Sequence, residues 1–547
     1  MNHMQPLNNS AGLSIPFGRQ CTFRALLLGI IGSVIITTSS MYVALRMGSL
    51  PWPTIFVAVM SMAILKLLKG TNLNEINVAH TAMSAGGMVA GGLAFTIPGI
   101  WIIDKDAGVS FLSLLAVTLS GTLLGVLFTA YLRKFFIEEQ KLAFPVGKAA
   151  AETLLAGDEG GGKAKTLFSS LTITAIFVAL RDGLKIIPGT VTWPALAVKN
   201  IFIGFLVSPM AFAIGYIIGP LFTGVWFLGA VISHLIIVPV GIGSGWFGDL
   251  AAANAFKDSL GIGLMIGTGL GILIKGVVVR VRSIYKRRLK QKISAGNSVF
   301  KFLPVLLAIA AFLLTNFTRM GVLTSIITIL GVWLTTTMAA SITGQTGINP
   351  MEIFGILVLL AVKAVSAIGG TEAFLVSGVV AVACGLTGDV LNDFKAGSIL
   401  KTNPKAQIIA EASGGIVGAI VSVIVLLAML KAFGEFGPGT ELIAPQAYAV
   451  STMLEGLPNV TAFRFGLAVG FGLYVLNIPG MTLGLGVFLP MTISAAVFIG
   501  GTAGLVLKKI SPSSIKNDRV SIIAAGMLGG EGITGVTIAI LKVLTMG

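Results

Sequence analysis

Three stretches of this chain, Asn200–Gly248, Met320–Met351 and Phe465–Leu507, contain no Asp, Glu, Lys or Arg. Each exceeds the roughly 20 apolar residues that cross a bilayer as one helix. A water-facing surface needs about 25% charged residues. Here the share is 11%, beside 55% hydrophobic residues and a mean hydropathy of +0.96. The surface must therefore face lipid, and the fold class read from these facts is an all-α polytopic integral membrane protein. The 70 Gly and 20 Pro would cost soluble helix interiors about 1 and 3 kcal/mol each. Among packed membrane helices, small residues permit close approach and freed backbone groups find other partners.

Apolar runs predict helices over 24–47, 53–69, 77–101, 109–132, 167–187, 196–219, 221–243 and 258–279. A second set covers 302–317, 320–342, 352–368, 371–388, 406–432, 461–480, 485–507 and 520–545, about sixteen spans in all. Between the sets, nine Lys or Arg and no acid lie from Lys275 to Lys301. The positive-inside rule makes that loop cytoplasmic, with anionic lipid as its expected neighbour. The net charge of +16 is then a topology signal, and no nucleic-acid partner is implied. The organisation follows: a cytoplasmic tail at 1–23, a first membrane region at 24–274, the basic loop at 275–301, and a second membrane region at 302–547. An even number of spans before the loop puts the N-terminus in the cytoplasm and the 103–108 loop outside. The tail lacks a basic n-region and a short cleavable apolar core, so the first run is read as a true span. The segment 142–156, "LAFPVGKAAAETLLA", is too short and polar to span cleanly and is read as re-entrant or as a surface helix.

The two regions share motifs. "NVAHTAMSAGGMVAG" from Asn77 is similar to "AQIIAEASGGIVGAI" from Ala406, with Gly86–Gly87 and Gly414–Gly415 at an offset of 328 residues. "FPVGKAAAE" is similar to "LPMTISAAV", with prolines 345 apart. Two matches in one order at nearly one offset point to an internal duplication, which is common in transporters. Parallel and inverted repeats both remain open on this pattern.

An ionisable group inside a span costs about 2.5–3.5 kcal/mol on insertion scales, so each is a functional candidate. Glu411 has apolar or small neighbours on both sides, and Glu531 sits within "LGGEGITG". Other charges, Arg181, Asp182, Lys185, Lys363 and Glu372, lie near predicted span ends, where snorkelling is the blander account. His80 opens the first repeat motif and can change charge near neutral pH; His234, on a charge-free run, reads as a packing residue. Asp389 and Asp393 are four apart and share a helix face with Asn392 beside them. Two helix breaks, at Asn349–Pro350 and from Asn477 to Gly480, would free backbone carbonyls and amides for a polar substrate. These residues form the expected substrate set (Asn349, Pro350, Asn392, Asn477, Gly480, Asp389, Asp393) and the expected protonation set (Glu411, His80, Glu531). Cys21 and Cys384 form no disulfide framework, and no His/Cys spacing marks a metal site. No Walker-type Gly-x-x-x-x-Gly-Lys-Ser/Thr stretch exists for ATP, and no cofactor or catalytic set is found.

These stretches resemble the oligopeptide transporter family. "HTAMSAGG" is similar to its Gln-Thr-Ala-x-Ser-Ala-Gly-Gly element, "FPVGKAAAE" to its Pro-x-Gly-x-Ala stretch, "TGINPMEIFG" to its Asn-Pro break and "GDVLNDFKAG" to its Gly-Asp-x-x-x-Asp-x-Lys-x-Gly signature. The likeness runs from Arg24 to the C-terminal "AGMLGGEGITGVTIAIL". It implies about sixteen helices, proton-coupled uptake of small peptides or, in the yellow-stripe-like branch, of metal–chelator complexes, a plasma-membrane location and a homodimer. Three positions depart from the pattern: His80 replaces Gln, Val146 replaces Glu and Asn392 replaces Gln. The short loops fit a prokaryotic member. The resulting expectation is a non-enzymatic secondary importer of peptides or peptide-like metal chelates, driven by protons and working by alternating access. The alternative is a passive channel, which the glycine-rich breaks suit but the lack of charged rings disfavours.

Overall fold

The computed structural model describes residues 15–546 except 49, 51–53, 69, 143, 159–161, 198–200, 273, 275–302, 347–348, 456–457 and 511–518. The basic loop and most of the N-terminal tail lie outside the described residues. Among those described, eight helices are long and apolar enough to cross a membrane, joined by shorter apolar ones. In chain order the helices used below are α1 Phe23–Met47, α2 Thr54–Leu67, α3 Leu73–Ala94, α4 Phe111–Arg133, α5 Pro145–Asp158 and α6 Gly162–Val178. They continue with α7 Pro209–Ile218, α8 Pro220–Val231, α9 Leu250–Ile272, α10 Leu303–Phe317, α11 Val322–Thr346, α12 Met351–Val365 and α13 Gly370–Leu400. The last are α14 Pro404–Phe433, α15 Pro445–Glu455, α16 Val460–Val475, α17 Gly480–Phe488, α18 Met491–Ile510 and α19 Arg519–Met546.

Polar residues set the helix starts within this apolar chain. The side chains of Thr22, Asn72, Ser110, Ser208, Asn403 and Asn459 each accept a backbone N–H of the first turn, satisfying donors that lipid would leave bare. Glycines then set which helices touch. A Cβ on Gly414 would overlap the Ala82 carbonyl, and one on Gly418 would overlap the Gly86 Cα. The two copies of the Gly–Gly motif, on α3 and α14, therefore lie directly on one another. Their contacts advance together along both helices, so the copies run in the same direction.

The same reasoning fixes other directions. Gly526 and Gly530 of α19 lie against Leu167 and Leu171 of α6, and Gly532 and Gly535 lie against Ser39 and Tyr42 of α1. Hence α1, α6 and α19 are parallel and start on one face. The start of α1 and the end of α19 thus lie on opposite faces. Several of the apolar runs are interrupted. Residues 196–219 hold the end of a short antiparallel hairpin, Thr190–Thr192 with Gly204–Leu206, followed by α7. The 461–480 run stops at Val475, where Asn477 turns with φ 59°. The 485–507 run is divided at Leu489–Pro490 between α17 and α18. Proline removes a ladder donor and breaks such a run without any drop in hydropathy.

Segment 142–156 also does not span. Lys141 and Phe144 take φ 51° and 43°, reversing the chain, and Phe144 N donates to the Gly344 carbonyl at 2.9 Å. Helix α5 then starts at the level of Asn392, whose Oδ1 accepts Gly147 N at 3.0 Å. Ala150 and Ala151 pack against Ala396 further along α13.

Candidate functional site

Helix α13 is enclosed along its middle: every residue from Ala373 to Phe394 is buried. It crosses α3 antiparallel, with Gly92 against Val382 at one end and Ser84 beside Asp393 at the other. Asp389 and Asp393, one turn apart on α13, so face the seam where α3 meets α14. Glu411 enters that seam from α14. One oxygen from each of these three carboxylates lies within 4.8 Å of the others, and all three side chains are completely buried. No ligand-sized set of acids would be placed this way for packing alone, since burying charge without partners costs several kcal/mol.

The hydrogen bonds around the cluster are few. Ser84 Oγ donates to Asp393 Oδ2 at 2.7 Å, and His80 Nδ1 stands 3.7 Å from Asp393 Oδ1. Gln407 Nε2 donates to the Asp393 carbonyl at 2.7 Å, holding α14 against α13. Both carboxyl oxygens of Asp389 and of Glu411, and Oδ1 of Asp393, accept no hydrogen bond from the described protein groups. Buried polar atoms are paired in the great majority of cases. Five orphan oxygens in one spot therefore single out this seam as the candidate site.

The break at Asn349–Pro350 lies nearby. Asn349 Nδ2 donates to the Cys384 carbonyl at 2.7 Å, about 7 Å along the α13 axis from Asp389. Its Oδ1 is buried and accepts nothing, so it is open to a donor. Pro350 caps α12, and Asn392 ties α13 to α5 through Gly147. Asn477 and Gly480 are elsewhere: Asn477 is exposed, and Gly480 packs on Thr268 of α9. The structure thus brings Asp389, Asp393, Glu411, His80, Asn392, Asn349 and Pro350 to one region, and leaves Asn477 and Gly480 in another.

Glu531 belongs to a third setting. Its Oε1 accepts Arg181 Nη2 at 2.9 Å, Ser208 Oγ lies 2.9 Å away, and Oε2 accepts Met210 N at 2.8 Å. Arg181 also grips Asp182 with two nitrogens, at 2.7 and 2.5 Å, and Arg46 reaches Asp182 at 3.4 Å. Two cations and two anions balance, and Glu531 is fully satisfied. This network ties α1, α7 and α19 to the end of the α6 segment.

Ser84, Gln407, Arg46 and Ser208 escaped the sequence reading. Ser84 stands four after His80 and Gln407 four before Glu411, so helical spacing put each on the face of a residue already singled out. Arg46 and Ser208 carried no comparable signal.

The profile of the OPT oligopeptide transporter protein family matches residues 20–542. This chain belongs to the OPT family. A Haemophilus influenzae protein named for oligopeptide transport is 25% identical, over 92% of each chain. The metal-nicotianamine transporter YSL3 of Arabidopsis thaliana is 23% identical, over 95% of this chain and 90% of its own. The OPT chain is therefore a multi-pass membrane transporter, as its sequence motifs implied. Those motifs, "HTAMSAGG" and "GDVLNDFKAG", supply His80, Ser84, Asp389 and Asp393 of the buried cluster.

Proposed function

We propose that this OPT chain is a proton-coupled secondary importer of small peptides or peptide-like metal chelates, with Asp389, Asp393 and Glu411 as the proton-carrying centre. The observation that carries the reading is the set of five orphan carboxylate oxygens at the seam between the repeat helices α3 and α14. Protons are the smallest charges that can neutralise such a set, and His80 adds a group able to exchange them. Glu531 takes no part, because its oxygens are already engaged. The substrate sits at the α11–α12 break, where Asn349 offers an unfilled acceptor to an ammonium or amide N–H, within reach of the Asp389 side. Movement of one repeat against the other along the glycine seam exposes the centre alternately to the two faces. The names of the relatives support both cargo classes, since one concerns oligopeptides and the other a metal bound to an amino-carboxylate. We further assign the chain to the plasma membrane of a prokaryote, with its N-terminus cytoplasmic, acting as a homodimer.

The test is uptake into proteoliposomes of labelled di- to tetrapeptides and of iron and zinc chelates, with and without an imposed pH gradient. Accumulation above equilibrium that collapses with a proton ionophore supports the reading. Saturable uptake that ignores the gradient refutes the coupling, and uptake of no peptide or chelate refutes the cargo.

A further inference from the structure

A cavity of about 980 Å³ lies between α6 and α19, away from the carboxylate cluster. Both helices start at its mouth, because they run parallel. Lys165 and Arg519, one from each first turn, line that mouth and are exposed. Two helix N-termini side by side add positive partial charge to the two cations. Deeper in, the walls are Ile173, Phe177, Ile523 and Met527. No acid is among the described residues that line the cavity. Gly162 and Phe177, both lining residues, are about 22 Å apart along the helix, close to one leaflet of a bilayer about 40–45 Å thick with its headgroups. The α6 segment is mostly unburied, and Phe168, Ile173 and Ile176 are exposed on it, so the groove opens sideways to lipid.

We infer that this groove holds one anionic phospholipid, its phosphate between Lys165 and Arg519 and one acyl chain against Ile173, Phe177, Ile523 and Met527. Charge complementarity selects the headgroup, and leaflet-length apolar walls select a tail over a free anion or a peptide. The site lies on the face where α1, α6 and α19 begin. The lipid wedges α6 against α19, next to the Arg181–Glu531 network, and so acts on the last helix without touching the transport centre.

The experiment titrates the delipidated full chain with phosphatidylglycerol or phosphatidylcholine and counts bound lipid by native mass spectrometry. One phosphatidylglycerol binds in preference to phosphatidylcholine. The double variant Lys165→Gln/Arg519→Gln binds it about thirtyfold more weakly, from about 1 kcal/mol per cation. Ile173→Trp, which keeps both charges but fills the groove, also loses the bound lipid. Millimolar inorganic phosphate leaves it in place. Equal binding of the two lipids, wild-type binding by either variant, or displacement by inorganic phosphate overturns the proposal. All positions changed are exposed, and an unchanged melting transition verifies that the variants fold.

Discussion

Replacing Glu411 by Gln keeps the shape of the side chain and removes one charge from the buried cluster. Two unit charges 4.8 Å apart repel by about 3.5 kcal/mol at an effective dielectric constant of about 20. That disfavours the state with both carboxylates ionised by about 300-fold, so the three acids hold at least one compensating cation between them. On the proposed mechanism this cation is a proton that enters and leaves with the transport cycle. A gradient of one pH unit is worth about 1.36 kcal/mol per proton, enough for about tenfold accumulation of substrate for each proton coupled. Glu411→Gln is expected to lower that ratio to about one, while counterflow exchange of substrate between equilibrated compartments continues. Proteoliposomes carrying labelled substrate measure both quantities on the same preparation. The melting temperature should hold or rise, since a repulsive charge has gone and the amide can donate to Asp393. Tenfold accumulation by the Glu411→Gln variant, or loss of exchange together with accumulation, would refute the argument.

Other perturbations test other parts of the structure. Arg181→Gln leaves Glu531 and Asp182 with only Arg46 for charge balance, and should cost about 3–5 kcal/mol; a lowered melting transition, partly restored in Arg181→Gln/Glu531→Gln, is the expected result. Gly418→Val forces a side chain into the Gly86 backbone and should cost about 1–3 kcal/mol through overpacking, read as loss of folded protein in detergent by size-exclusion chromatography. The Lys105–Glu435 ion pair is exposed on both sides, so Lys105→Ala should leave the melting transition unchanged. Its partner Glu435 holds the Lys105 ammonium above its ordinary pKa, so any contribution would be present at neutral pH and fade only in strong alkali. Burial pushes the Cys21 thiol up from its ordinary value, so maleimide labelling of Cys21 should accelerate at higher pH than for a free thiol, while buried Cys384 stays unlabelled until the protein unfolds.

The membrane class and the transport motifs were legible because they rest on composition and on local pattern. Asp389 and Asp393 share a helix face, and arithmetic alone places them together. Their meeting with Glu411 was not legible, because it depends on which helices touch. That choice is made by backbone-to-backbone contact at Gly86, Gly414 and Gly418, and a glycine pair carries no address for its partner. The likeness of the two motifs hinted at the answer, since they pair with each other. Helix ends were less legible for a different reason: hydropathy does not register the break at Leu489–Pro490, whose neighbours on both sides are as apolar as the break itself. Asn477–Gly480 shows the limit from the other side. It is a real break, but it packs on α9, far in the chain from the carboxylates.

The glycine seam has a mechanical consequence. Where α3 and α14 meet, Gly418 lies directly on the Gly86 backbone, so at that point backbone rather than side chain forms the contact surface. Glu411 rides on α14, His80 and Ser84 on α3, and the two aspartates on α13. A slip of α14 by a single residue rise, about 1.5 Å, would change the distances from Glu411 to the two aspartates by a sizeable part of the cluster's 4.8 Å span. On the proposed mechanism, axial position of the helices and charge held at the centre are then two readings of one coordinate, with protonation as the ratchet pawl and the bare backbone as the track.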